Sequence, residues 1–288
     1  TTLFRSLFTL TIIYAGVRNG IERVSKFMMP ILIVLSVLIA VYSVTRPGAM
    51  EGVKYFLVPN VKNFSWMTVV AAMGQMFYSL SIAMGILITF GSYMKKETSL
   101  EDSTRNVEVF DTAIAIMAGL MIIPAVFAFS GGDPDTLQAG PALMFITIPK
   151  VFENMGFGTV VGILFFLLVL FAAVTSSIAL TESAVSTFED ELGWSRRRAT
   201  VLVGVIMIAL GSLSSLGYGP LAGIKIIGMQ FLDFFDFLTN SVMMPIAAML
   251  TSLFVSRIVG MKRMEEEIMH GESTFRRKKI FIGMIKYL

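Results

Sequence analysis

Long apolar runs separated by short charged stretches set the pattern of this chain. Seven runs stand out, at about residues 6–17, 27–44, 66–94, 109–129, 157–187, 199–216 and 231–259. A helix crosses a bilayer with about 20 apolar residues, and mismatch in either direction is absorbed by tilt or local thinning. The runs predict an all-α fold, a polytopic transmembrane helical bundle forming one domain over residues 1–288. The first run is short, the chain opens on Thr1, and a new apolar run begins at Ile280 just before Leu288. A piece of a longer protein is therefore expected.

The charges between the runs give the expected topology. Arg18, Arg23 and Lys26 fill the stretch 18–26, and Lys95, Lys96 and Arg105 fill 94–108. Arg196, Arg197 and Arg198 fill 188–198, and Lys262, Arg263, Arg276, Arg277, Lys278 and Lys279 follow the seventh run. The alternate connections are poorer for their length: Arg46, Lys54 and Lys62 in 45–65, Lys150 alone in 130–156, Lys225 alone in 217–230. Basic loops stay on the cytoplasmic side. The stretches 18–26, 94–108 and 188–198 and the C-terminal tail are thus expected in the cytoplasm of a multi-pass plasma-membrane protein. The long external stretch 130–156 carries "ALMFITI", which is costly to leave in water, so short helices packed over the extracellular mouth are expected there.

Composition narrows the function classes. Of 288 residues, 55% are hydrophobic and only 15% charged, against about 25% in an ordinary soluble chain. No cysteine is present, which removes thiolate metal sites and thiol nucleophiles, and the single His270 lies in a charged stretch. No nucleophile–base pair or nucleic-acid signature emerges, so neither an enzyme nor a nucleic-acid partner is expected. The lipid bilayer is the expected surrounding; the sequence gives no oligomeric state.

The informative residues are polar ones inside the runs. "GQMFYSLSIAMG", Gly74 to Gly85, places Gly, Gln, Tyr and two Ser at the middle of the third run. Backbone groups at membrane depth must be satisfied, so a helix breaks there only inside protein or beside a wet cavity. A broken helix frees carbonyls for cations and aims a half-helix N-terminus at a carboxylate. An unbroken helix with back-bonded Ser residues is the competing reading. Asp111 near the head of the fourth run is either a functional acid or an interfacial cap. "FAAVTSSIALTES" holds Thr175, Ser176 and Ser177 together, with the Ala172 carbonyl one turn earlier. Such oxygens suit a hard cation or plain interhelical hydrogen bonds. Asp233 and Asp236 open the seventh run, as half of a gate or as charges favoured by the helix dipole.

Taken together, these stretches resemble the neurotransmitter:sodium symporter family, in particular its bacterial amino-acid transporters. "GVRNGIERVSKFMMP" looks like the junction of the family's fourth and fifth helices, with Gly20 and Pro30 in its Gly-x9-Pro pattern. "GQMFYSLSIAMGILITFGSYMKK" looks like the broken sixth helix, "AGLMIIP" like the seventh, and "FAAVTSSIALTESAVSTFEDELGWSRRRA" like the eighth. The resemblance implies an inverted-repeat transporter fold, here about helices 4–10, and two sodium sites. It implies Ser79 and Asp111 as ligands of the first sodium, and Ala172, Thr175 and Ser176 as ligands of the second. Tyr78, Ser79, Ser81, Met84 and Leu180 are implied at the substrate, Gln75 and Asp236 at the outer gate, and Tyr93 and Asp190 at the inner gate.

Chloride-dependent members of the family carry a Ser one turn after the Asp111 position, where this chain has Ala115. With a fixed carboxylate at Asp111, chloride is not expected as a cofactor. The apolar Met84 and Leu180 imply a neutral, hydrophobic amino acid as small-molecule partner. The resemblance therefore implies sodium-coupled amino-acid symport by alternating access in the full-length protein. The alternative is a transport-inactive, transporter-like sensor or accessory membrane subunit.

Overall fold

A computed structural model describes residues 9–61, 64–131, 143–153, 156–271 and 275–287. Eleven helices are used below: α1 (Arg23–Val44), α2 (Ala49–Leu57), α3 (Trp66–Ser79), α4 (Ile86–Ser92), α5 (Leu100–Ser130), α6 (Ile148–Glu153), α7 (Gly158–Leu192), α8 (Arg196–Leu216), α9 (Phe231–Val259), α10 (Met261–Ile268) and α11 (Lys278–Tyr287). The described residues contain no β-strand beyond a single bridge between Ile226 and Met229.

Among the described residues, five helical stretches are long and apolar enough to cross a membrane: Gly20–Val44, Leu100–Ser130, Gly158–Leu192, Arg196–Leu216 and Phe231–Val259. Helix α1 shows why such a helix needs lipid. Its buried residues Met28, Leu32, Leu35, Ser36, Ile39, Ala40 and Ser43 recur at helical spacing along one stripe. The other face exposes Phe27, Val34, Leu38 and Val41, which are as apolar as the buried stripe. A helix hydrophobic all round belongs in a core or a bilayer. Ser36 is tolerated in the buried stripe because its hydroxyl donates to the Leu32 carbonyl (2.8 Å). Around Gly20 the helix widens into a π-turn over Val17–Glu22, and it then continues over Pro30.

The chain packs as two compact units, each discontinuous: Thr1–Gly16, Ala71–Glu108 and Ser177–Leu288 form one, Val17–Val70 and Val109–Ser176 the other. The second unit has the larger apolar core, with Leu32, Leu35 and Ile39 of α1, Met121, Ala125 and Val126 of α5, Ile148, Val151 and Phe152 of α6, and Phe165 and Leu168 of α7. Short α2 docks on α5 through two glycines. A Cβ on Gly52 would come within 2.8 Å of the Pro124 Cα, and one on Gly119 within 2.2 Å of the Phe56 ring. Only hydrogen at those positions allows this approach. In the first unit, Gly204 of α8 accommodates Leu10, and the Phe188 and Trp194 rings stack at 5.7 Å across the turn joining α7 to α8.

Several sequence expectations take definite form. The third run is two helices, not one. The fourth run starts earlier than its apolar residues indicate, at Leu100, and the fifth ends later, at Leu192. Within 130–156 the expected short helix exists as α6, preceded by a π-turn over Leu143–Thr147; residues 132–142 and 154–155 lie outside the described residues, as do residues 1–8 of the first run.

Candidate functional site

Helix α3 stops at Ser79 and α4 begins at Ile86, so the polar stretch is a true interruption. Its backbone is strained: Ser81 has φ 55°, Ala83 φ 62° and Gly85 φ 78°. Left-handed conformations cost a non-glycine residue about 1–3 kcal/mol and persist only where the surroundings impose them. The chain re-satisfies part of its backbone on the way out of α3, with Leu80 N–H donating to the Met76 carbonyl (3.0 Å) and Ile82 N–H to the Phe77 carbonyl (2.9 Å). Gly74 sits inside α3 and causes no break. The unbroken-helix reading of this stretch is overturned.

One face of α3 and the start of α9 line an open groove of about 390 Å³, formed by Ala71, Gly74, Gln75, Tyr78, Asp236, Asn240, Ser241 and Met244. Gln75, Tyr78 and Asp236 are thereby brought together, with apolar and polar walls in one space. Asn240 Nδ2 donates to Asp236 Oδ1 (2.6 Å), fixing that carboxylate one turn from its own position. Asp233 lies in the first turn of α9, where the helix dipole favours an acid, whereas Asp236 is beyond it. Nearby, burial and the Asp233 carboxylate push the Tyr218 phenol above its ordinary value. The residues Asn240 and Ser241 were not singled out by sequence; their signal was position, one turn beyond Asp236.

Asp111 lies three turns inside α5, which begins at Leu100. It is no helix cap, and an acid at that depth is a functional candidate. On α7, Thr175 Oγ1 sits 3.0 Å from the Ala172 carbonyl and 3.1 Å from the Phe171 carbonyl. The hydroxyl donates back to these carbonyls, so it and the Ala172 carbonyl share one face of the helix; Thr175 is half-buried and Ser176 next to it is exposed.

The densest polar cluster was not foreseen. Tyr93, just after α4, donates its hydroxyl to Glu182 Oε1 (2.8 Å). Arg196, the first residue of α8, donates to both oxygens of Glu182, Nη1 to Oε1 (3.1 Å) and Nη2 to Oε2 (2.5 Å), in the forked geometry that suits a carboxylate. Its Nη1 also reaches Glu189 Oε2 (3.1 Å), and its Nε donates to the Ile13 carbonyl (3.0 Å). Glu182 is fully buried, and both of its oxygens accept from Arg196 while Oε1 also accepts from Tyr93. Asp190, the sequence candidate beside Tyr93, is exposed on α7 outside this cluster. The missed signal was Glu182 itself, an acid embedded in a long apolar helix with Glu189 and Arg196 following at intervals of seven.

Long apolar helices, one interrupted by a polar stretch, with polar and acidic residues held along them, mark a polytopic helical membrane protein. The profile of the sodium:neurotransmitter symporter family matches residues 2–287, and the chain belongs to that family. It is 35% identical over 265 residues to an uncharacterised sodium-dependent transporter, YhdH, of Bacillus subtilis (strain 168), covering 92% of this chain and 58% of that protein. It is 32% identical over 288 residues to an uncharacterised sodium-dependent transporter of Haemophilus influenzae, covering 100% of this chain and 62% of that protein. Among solved structures it is similar to MhsT in complex with L-phenylalanine, with a TM-score of 0.83 and 35% identity over 99% of this chain and 64% of that one. The chain thus spans about three fifths of the length of these relatives.

Proposed function

We propose that the full-length protein carrying this chain is a sodium-driven symporter of a neutral, hydrophobic amino acid, working by alternating access across the plasma membrane. The interruption at Leu80–Gly85 carries this reading: strained backbone persists only where its surroundings impose it, and interrupted helices build the binding sites of many secondary transporters. Tyr78, Ser79, Ser81, Met84 and Leu180 contact the substrate, and Met84 and Leu180 keep its side-chain pocket apolar. L-phenylalanine in the structure of MhsT supports a hydrophobic substrate.

Two sodium ions travel with the substrate. Ser79 and Asp111 serve the first, on the resemblance; Ala172, Thr175 and Ser176 serve the second, where a carbonyl and a hydroxyl oxygen 3.0 Å apart suit a hard cation. Asp111 supplies a fixed negative charge, so transport is independent of chloride. Gln75 and Asp236, which share a groove, form the outer gate. Tyr93 belongs to the inner gate together with Glu182 and Arg196, and Asp190 is available to it from the exposed face of α7. The basic stretches 18–26, 94–108 and 188–198 and the C-terminal tail face the cytoplasm.

The test is binding of a panel of labelled amino acids to the full-length protein, with sodium and with choline in its place. Neutral apolar amino acids are expected to bind only with sodium, and Thr175→Ala to raise the sodium concentration required by tenfold or so, as a lost ligand costing about 1.4 kcal/mol would. Sodium-independent binding, or preference for a charged amino acid, contradicts the reading.

A further inference from the structure

The contact between α4 and α7 extends the Tyr93–Glu182 pair into a polar seam. Gly85 leads into α4 with φ 78°, and a Cβ there would lie 2.7 Å from Ser183 Oγ. One turn on, Thr89 Oγ1 lies 3.4 Å from Ser183 Oγ and 3.3 Å from Ser186 Oγ. A further turn on, Tyr93 meets Glu182. Positions 85, 89 and 93 share one face of a helix, as do 182, 183 and 186. Thr89, Ser183 and Ser186 are all buried. Ser186 donates to the Ser183 carbonyl (3.1 Å), so toward Thr89 its oxygen only accepts, and the single Thr89 proton serves either Ser183 Oγ or Ser186 Oγ.

Small apolar residues would let two helices pack this closely without any polar atom. Three buried hydroxyls at one crossing must instead find partners, and here they find one another. We propose that Thr89, Ser183 and Ser186 are positioning residues of the inner gate: they fix the rotation of α4 on α7 so that the Tyr93 hydroxyl meets Glu182, and Gly85 admits the close approach. The proposal rests on the reading of Tyr93 as a gate residue. Hydroxyls bonded across a helix pair can exchange that partner for water when the helices part, which an apolar seam cannot do. The seam thus favours the closed gate without locking it.

Hydrogen exchange of the α4 amides, in the full-length protein reconstituted in nanodiscs, reads this directly. Thr89→Val keeps the shape and removes the hydroxyl; it is expected to speed exchange over α4 by about three- to tenfold, the size of one or two interhelical hydrogen bonds. Thr89→Ser restores the original rate, and α8 amides do not respond. In a Tyr93→Phe background Thr89→Val adds little, because the two act on one contact. Should Thr89→Val fail to assemble, Ser186→Ala is expected to act in the same direction. Unchanged α4 exchange, fully additive effects of the two substitutions, or failure of Thr89→Ser to rescue overturns the proposal. Sodium-dependent amino-acid binding by the unsubstituted protein separates the causes. Binding present with α4 indifferent to the hydroxyl defeats the positioning role alone. Binding absent defeats the transporter reading, and the gate with it.

Discussion

Glu182 is a carboxylate with no exposed side-chain surface, and its position is tenable because Arg196 forks onto both oxygens while Tyr93 donates to one. Removing one member of a buried pair costs about 3–5 kcal/mol, since the other charge is left without compensation. The Arg196 side chain is 25% exposed, so water recovers part of that cost. Glu182→Ala is therefore expected to lower stability by roughly 2–3 kcal/mol, and Glu182→Ala with Arg196→Met by less than Glu182→Ala alone. Thermal unfolding of the purified full-length protein measures both. A loss in the double variant equal to the sum of the Glu182→Ala and Arg196→Met losses would show that the pair carries no coupled energy. Sequence reading reached Tyr93 through family resemblance and stopped short of Glu182. The partner of Glu182 lies 14 residues on, beyond a turn and at the start of the next helix. Periodicity along one helix does not register such a contact. The rule that an acid within a span is a functional candidate applies to it as well as to Asp111.

At the scale of elements, the interruption between α3 and α4 divides the polar stretch into two kinds of glycine. Gly74 lies within helix with open space beside it, while Gly85 has φ 78° and touches Ser183. Gly85→Ala is expected to destabilise by about 1–3 kcal/mol from backbone strain, with the contact to Ser183 adding to it. Ala83→Gly, at φ 62°, is expected to be neutral or stabilising, because glycine relieves strain already present. Paired melting curves of these two substitutions check the sign; a stabilising Gly85→Ala would contradict the backbone assigned here. The existence of a break was legible in the Gly, Ser and Tyr content of Gly74–Gly85. Its placement at Leu80–Gly85 was not, because positive φ at Ser81 and Ala83 is imposed by packing and not by residue type. The same holds for α5, whose first turns are polar: the apolar run begins at residue 109, but the helix runs from Leu100. That extension places Asp111 well inside a helix and removes a capping role for it.

For the whole molecule, apolar residues on the outer faces of α1 and its fellow spans commit the chain to a bilayer, and the family profile places it among the sodium:neurotransmitter symporters. Five of the seven apolar runs are long apolar helices, as run length indicated, whereas the third divides into two. The groove shared by Gln75, Tyr78 and Asp236 was only partly legible, since Asn240 and Ser241 complete it from a helix face that no motif marks. Independence from chloride belongs at this scale too. Replacing chloride with gluconate on both sides of a reconstituted membrane is expected to leave sodium-driven uptake unchanged, whereas Asp111→Asn is expected to abolish it or make it chloride-dependent. A requirement for chloride in the unsubstituted protein would remove the fixed-charge role of Asp111.

The most direct measurement is accumulation of a labelled neutral, apolar amino acid by proteoliposomes containing the full-length protein under an imposed sodium gradient. Each sodium entering at an inside-negative potential supplies about 2.3 kcal/mol per 100 mV, so the internal concentration is expected to overshoot the external one and then decay with the gradient. Uptake that merely equilibrates, with or without sodium, contradicts coupled symport; so does tight sodium-dependent binding with no accumulation.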